Sequence, residues 1–284
     1  MDLSPYHCAR YDFGGNLKWA TILTGTIALQ HYKMSRILFK QMKIEWKYIL
    51  LFILIAFGIS FPIQQGYFSG LFQDFTKHTI FSQSEYLLAG FSTLVAALIV
   101  FLFHRNISNR ITILGDDKTK NLLILILPII AFSVSGLNND FGMNKSIYGF
   151  AYALINTIYA FAEEYGWRRY LQNALEGLNK HLKYILIGVV WWIWHFRFDT
   201  PFDFFLFPLI CIGGGFLLGK LADDLKSILP VVAMHTLIIL VSNSGNFGRN
   251  EIMGIGIVIL GWVVIEQVWK RKKAGKKSIK NTIE

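Results

Sequence analysis

The sequence predicts an all-α protein, a polytopic membrane helix bundle of about eight transmembrane helices. Hydrophobic residues make up 54% of its 284 residues and charged residues only 16%, with a mean hydropathy of +0.43, whereas a typical soluble domain is about 25% charged. The apolar residues form continuous runs rather than the alternating segments of a membrane β-barrel. Since only helices and closed barrels satisfy backbone groups in lipid, these runs indicate helices.

Eight runs are long enough, or nearly so, to cross a hydrocarbon core of about 30 Å. They lie near 48–66, 86–104, 121–137, 147–165, 184–198, 203–219, 228–243 and 252–269. The third, fifth and seventh runs are short. The sequence therefore predicts one transmembrane bundle over 47–269, followed by a basic cytoplasmic tail over 270–284.

Basic residues distinguish the two sides of the predicted bundle. The segment before the first run, the even-numbered loops and the tail are rich in lysine and arginine, whereas each odd-numbered loop holds a single basic residue: Lys77, Lys145, Arg197 and Arg249. Because cytoplasmic loops carry the excess of lysine and arginine, both termini are expected in the cytoplasm. The abundance of isoleucine, lysine and asparagine suggests a bacterial plasma membrane. The basic cytoplasmic loops and tail then account for most of the net charge of +10, and their expected contact is the lipid bilayer. No nucleic-acid partner is expected.

The first 46 residues are predicted to form a cytoplasmic N-terminal extension. They lack the apolar core and small-residue cleavage site of a signal peptide. Met34 is followed by a basic segment and then by the first run, so a misassigned start is the alternative. The two cysteines, Cys8 and Cys211, provide no disulfide framework.

Two adjacent carboxylates, Glu163 and Glu164, end the fourth run. An ionisable group inside a membrane helix is costly and marks a functional site by default. On an α-helix, Glu164 and Arg168 share a face at i,i+4, so Arg168 can neutralise Glu164 and leave Glu163 as a free carboxylate for general-base chemistry. The alternative is that the helix ends here and both glutamates lie at the interface. Because 146–178 contain no proline, we expect one long helix that continues past the arginine.

Two histidines lie within the apolar runs. His195 ends an aromatic stretch in the fifth run, and His235 lies in the seventh. Taken alone, His195 could belong to an aromatic belt at the interface, and His235 could hydrogen-bond between helices. The presence of Glu163, His195 and His235 on three separate runs favours a shared site.

These residues resemble the motifs of the CPBP family (CAAX proteases and bacteriocin-processing proteins, also called Abi). Residues 163–168 resemble the EExxxR motif, and residues 191–195 resemble FxxxH with tryptophan in the aromatic position. Residues 230–239 resemble HxxxN. The motifs keep the family's order within a predicted protease-like core at about 120–245. The family includes type II CAAX prenyl endopeptidases and lysostaphin-resistance proteins.

The resemblance implies an intramembrane endopeptidase that hydrolyses a peptide bond of a membrane-associated protein or peptide. Glu163 would activate water, and Glu164 and Arg168 would form a structural pair. His195 would orient the water or shuttle a proton, and His235 would donate to the oxyanion. No cofactor is expected. The alternative is a zinc ion held by Glu163, His195 and His235, because one carboxylate and two histidines match a zinc site with an open position.

Ile239 departs from the family pattern, which has asparagine at this position. The residue lies one turn beyond His235 on the same face, so the oxyanion site would lack a donor. If His235 is the sole donor, Ile239→Asn is expected to raise turnover.

Two other functions remain open from the sequence. A non-catalytic membrane immunity or scaffold protein could retain the fold, and Ile239 is its best support. A small-solute transporter would also bury ionisable groups, but the sequence lacks the repeats and paired broken helices common in transporters. Glycines 213–215 could break the sixth helix, although such residues more often allow close helix packing.

Overall fold

The computed structural model describes residues 44–76, 85–242 and 248–283. The predicted N-terminal extension therefore lies almost entirely outside the described residues. Within them the chain is helical, and the only extended pairing is a single parallel bridge between Thr112 and Ser227. The all-α fold predicted from the sequence is confirmed.

Nine α-helices and one π-helix follow one another along the described chain. They are α1 (Trp46–Gln64), α2 (Ser69–Thr76), α3 (Glu85–Phe101), α4 (Lys118–Ser135), α5 (Lys145–Glu164), the π-helix (Tyr165–Gln172), α6 (Lys180–Trp194), α7 (Pro201–Leu225), α8 (Leu229–Ser242) and α9 (Arg249–Ile283). A helix coincides with each of the eight predicted runs. The short helix α2 was missed because its eight residues are too few to form a membrane-length run.

Within the described ranges, four helices are long and apolar enough to cross a membrane, namely α1, α4, α7 and the part of α9 over Arg249–Gly275. Two shorter apolar helices accompany them, Leu87–Phe101 and Leu229–Ser242. These lengths and compositions support an integral membrane protein built from helices.

Large apolar side chains are exposed on the surface of the bundle, whereas the charged side chains of the acidic motif are buried. Leu54, Phe205 and Leu260 are 70%, 77% and 68% exposed, whereas Glu164 and Arg168 are fully buried. In lipid, ionisable side chains face the bundle interior while apolar side chains contact the hydrocarbon. The polar motif therefore lies in the interior of the protein.

The centre of the bundle is α5 with the π-helix that continues it. The helix α5 packs against α3, α4 and α8, and the π-helix packs against α3 and α6. The chain thus stays helical past Arg168, as expected, but with i→i+5 hydrogen bonds that widen the turn. Because the chain continues as a helix to Gln172, and Trp167 and Tyr170 are fully buried, the alternative in which the helix ends at Glu164 is wrong.

The glycine-rich part of α7 is a packing surface rather than a break. The helix is continuous from Pro201 to Leu225. A Cβ atom on Gly215 would lie 2.7 Å from the carbonyl oxygen of Tyr184 and 3.1 Å from Cα of Gly188. Only glycine allows the backbones of α6 and α7 to approach this closely. The contact holds α6, which carries the aromatic motif at its C-terminal end, against α7.

Candidate active site

Glu163 lies in the last turn of α5 and is 1% exposed. Its Oε2 accepts hydrogen bonds from Nε1 of Trp191 at 2.9 Å and from Nε1 of Trp167 at 3.4 Å. Its Oε1 accepts no hydrogen bond of ordinary geometry from the described residues, although the Tyr159 side chain also interacts with the carboxyl group. One oxygen is thus anchored by indoles, and the other can accept a hydrogen bond from water.

Glu164 contacts one side chain from α8 and one from the π-helix. Its Oε1 accepts a hydrogen bond from Nδ1 of His235 at 2.8 Å, and its Oε2 lies 3.3 Å from Nε of Arg168. All three side chains are at least 96% buried, with exposures of 0%, 4% and 0% for Glu164, His235 and Arg168. Because little water screens these charges, the attraction of the Glu164 carboxylate for the His235 ring and the Arg168 guanidinium is strong. The carboxylate therefore orients both groups.

The contact with Glu164 determines where His235 carries a hydrogen. An ionised carboxylate only accepts hydrogen bonds, so Nδ1 of His235 is the donor, and Nε2 can also donate only when the ring is an imidazolium. With His235 in that form, the negative charges of Glu163 and Glu164 are balanced by Arg168 and His235. A buried cluster without net charge avoids the desolvation cost of an unpaired ion.

His195 directly follows α6 and is half-buried. Its Nδ1 lies 2.7 Å from the main-chain oxygen of Trp191. A carbonyl oxygen accepts, so Nδ1 carries the hydrogen and Nε2 of the neutral ring has a free lone pair. The His195 ring packs against the rings of Trp191 and Phe207, at centroid distances of 5.7 and 4.9 Å. In the described part of the chain, His195 is connected to Glu163 through Trp191 rather than by a direct hydrogen bond.

The zinc alternative requires Glu163, His195 and His235 to converge as ligands. Among the described residues, no three histidine, cysteine, aspartate or glutamate side chains are placed so that they could hold a metal ion. The set suggested by the sequence therefore does not form a ligand cluster in this arrangement.

Ile239 lies one turn beyond His235 in α8 and is buried in an apolar cluster with Tyr159 and Val232. An apolar side chain thus occupies the position where the family has an amide. The amide of Asn156, seven residues before Glu163 in α5, donates a hydrogen bond to the main-chain oxygen of Tyr152 at 2.8 Å.

Sequence reasoning missed the two tryptophans that hold Glu163. Trp167 lies four residues after Glu163, so helical spacing alone could have indicated a contact. The sequence identifies Trp191 only as the aromatic residue of the second motif. Its hydrogen bond depends on how α6 is placed against α5, which local sequence patterns do not determine.

Residues 145–241 match the family model described as type II CAAX prenyl endopeptidase Rce1-like. Over these residues the chain is similar to CAAX proteases. This Rce1-like core begins at α5 and ends within α8, and it contains Glu163, Glu164, Arg168, His195 and His235. The family resemblance inferred from the motifs is confirmed. None of the curated proteins matches the chain.

Proposed function

We propose that the protein is an intramembrane endopeptidase that hydrolyses a peptide bond of a membrane-associated protein or peptide, with Glu163 as the general base. A CAAX-type protease is supported by the family match. The observation that carries the proposal is the buried Glu163 carboxylate, which is anchored at one oxygen by Trp191. The Trp191 ring also contacts the rings of His195 and His235.

The nucleophile would be a water molecule that donates a hydrogen bond to Oε1 of Glu163. As the water oxygen attacks the peptide carbonyl carbon, Glu163 takes its proton and later delivers that proton to the leaving amide nitrogen. Neutral His195, with its hydrogen on Nδ1, can accept the other hydrogen of the water at Nε2. His195 would therefore orient the water rather than compete for the first proton.

His235 would stabilise the tetrahedral oxyanion. Its imidazolium form presents an N–H at Nε2, and the carboxylate of Glu164 favours that form through the hydrogen bond at Nδ1. Arg168 in turn holds Glu164 in place. Such a preorganised donor is most effective in a site that excludes water. Because Ile239 contributes no donor, His235 would act alone from α8.

Ile239→Asn tests this account of the oxyanion site. An added amide one turn from His235 can reach the same oxygen, so we expect kcat to rise by about tenfold while KM changes little, since loss of one such donor elsewhere costs about 100- to 1000-fold in rate. Ile238→Asn, at the adjacent position on another face, is the control and should not raise kcat. If Ile239→Asn has no effect while His235→Ala abolishes turnover, another group already completes the oxyanion site.

A non-catalytic immunity or scaffold protein is the second candidate, and the apolar residue at Ile239 is the observation that favours it. Comparison of the membrane peptides from cells that express the wild type with those from cells that express Glu163→Gln separates the two. A protease is expected to produce peptides that the variant does not produce, and these would identify the substrate. Identical peptides in both cells would favour the scaffold.

The topology is a separate proposal, in which both termini are cytoplasmic in a bacterial plasma membrane. Single cysteines introduced at Lys145 and Arg249 should react with a membrane-impermeant reagent applied from outside. Cysteines at Lys118 and Lys226 should react only after the cells are opened, because basic loops remain inside. Labelling of the Lys118 position from outside would contradict the proposed orientation.

A further inference from the structure

Trp191 contacts three candidate catalytic residues through different parts of its structure. Its indole Nε1 donates to Oε2 of Glu163 at 2.9 Å, and its main-chain oxygen accepts from Nδ1 of His195 at 2.7 Å. Its ring meets the His235 ring edge to face, with centroids 5.3 Å apart and planes at 82°. The side chain is only 8% exposed, so little water competes for the indole hydrogen.

We propose that Trp191 is a positioning residue for peptide-bond hydrolysis, whose indole N–H fixes Oε2 of Glu163 so that Oε1 acts as the base. This inference rests on the proposed function of Glu163. It assigns to Trp191 a role that the aromatic position of the FxxxH motif does not by itself imply. Phenylalanine at this position could fill much of the same space, but it has no hydrogen to donate.

The physical reason is that a carboxylate with two equivalent oxygens needs an external contact to fix its orientation. Rotation about the last side-chain torsion of a glutamate meets only a broad, shallow barrier. The Tyr159 side chain also interacts with this carboxyl group. The hydrogen bonds from Trp191 at 2.9 Å and from Trp167 at 3.4 Å both go to Oε2, so they break the equivalence of the two oxygens. Hydrogen bonds to an ionised acceptor are stronger than those between neutral groups, so this contact can hold Glu163 while Oε1 exchanges a proton with water.

The two hydrogen bonds that Trp191 makes with candidate catalytic residues can be separated by substitution. The bond to His195 comes from the main chain and persists when the side chain changes. The bond to Glu163 comes from the indole and is lost. A variant without the indole N–H therefore tests the positioning of Glu163 while the main-chain contact to His195 remains.

The adjacent tryptophan provides a matched control. Nε1 of Trp192 donates to the main-chain oxygen of Asp203 at 3.0 Å. Trp192 is thus a partly buried indole of the same helix with one hydrogen bond to the protein, but that bond does not involve Glu163. Trp192→Phe removes the same atoms as Trp191→Phe from a position outside the candidate site.

The experiment measures kcat and KM in liposomes for the wild type, Trp191→Phe, Trp192→Phe and a protein with 3-benzothienylalanine at position 191. The last keeps the bicyclic shape and replaces the N–H by sulfur. We expect Trp191→Phe and the sulfur analogue to lower kcat by about tenfold to 100-fold with KM nearly unchanged. A small displacement of a reacting group lowers the rate by factors of this size. Trp192→Phe should retain the kcat and KM of the wild type.

The sulfur analogue tests whether the indole N–H positions Glu163 even if Trp191→Phe fails to fold, because the analogue preserves the packing. If the analogue has the kcat of the wild type, the hydrogen bond does not position Glu163 and the inference is overturned, while an inactive Glu163→Gln would leave the proposed function standing. If Glu163→Gln is as active as the wild type, the proposed function fails, and the inference fails with it.

Discussion

Glu163→Gln is expected to lower the turnover of the purified protein by about 100- to 10,000-fold, the usual contribution of a general base. Glutamine has nearly the same shape, and its amide oxygen can still accept the hydrogen bond from Trp191. It cannot take a proton from water. The thermal unfolding midpoint should therefore change little while the rate of peptide hydrolysis falls. Both are measured on protein reconstituted in liposomes with a peptide that the wild type cleaves.

Glu176→Gln is the matched control for this experiment. Glu176 forms ion pairs with Arg110 and Lys183, away from the candidate site, and its amide variant should retain most of the turnover. An equal loss in the two variants would indicate a structural cause. Turnover at the level of the wild type in Glu163→Gln would contradict the general-base role.

Arg168→Met is expected to reduce the free energy of unfolding by about 3–5 kcal/mol, the usual cost of removing one partner of a buried ion pair. Arg168 and Glu164 are both 0% exposed. Without the guanidinium, the Glu164 carboxylate stays in the interior with His235 as its remaining partner. The effect is measured by reversible unfolding in mixed micelles, or as a large fall in the thermal midpoint.

An exposed ion pair with the same spacing provides the comparison. Lys220 and Asp224 also pair at i,i+4, but their side chains are 70% and 57% exposed, so Lys220→Met should cost at most about 1 kcal/mol. The double variant Arg168→Met/Glu164→Gln should be more stable than Arg168→Met alone, because it also removes the carboxylate whose charge Arg168 balances. Equal effects of Arg168→Met and Lys220→Met would show that burial adds nothing to the Glu164–Arg168 pair.

The sequence predicted the helices well because membrane-length apolar runs are a local property. It placed a helix at each run and predicted that the fourth helix continues past Arg168. It did not predict the π-helix over Tyr165–Gln172, because the i→i+5 pattern depends on how α3 and α6 pack around it. The residues before Ile44 lie outside the described part of the chain, so the prediction for them remains a prediction.

Within the candidate site, too, contacts within one helix could be predicted from the sequence, whereas contacts between helices could not. The contact between Glu164 and Arg168 follows from helical spacing and was predicted. The hydrogen bonds from His235 to Glu164 and from Trp191 to Glu163 join different helices, and hydrophobic periodicity does not specify the register between them. Sequence motifs therefore named the ionisable residues, whereas the residues that orient them required the packed bundle.

The most direct test of the account is the hydrolysis reaction itself, followed by mass spectrometry in oxygen-18 water. Purified protein in liposomes is treated with a metal chelator and incubated with a membrane peptide identified from the comparison of cells. If Glu163 activates the water, the wild type produces two fragments, with one oxygen-18 atom in the new carboxylate, and Glu163→Gln produces neither fragment. No fragments from the wild type, equal amounts from Glu163→Gln, or fragments only after zinc is restored would contradict a glutamate-dependent, metal-free endopeptidase.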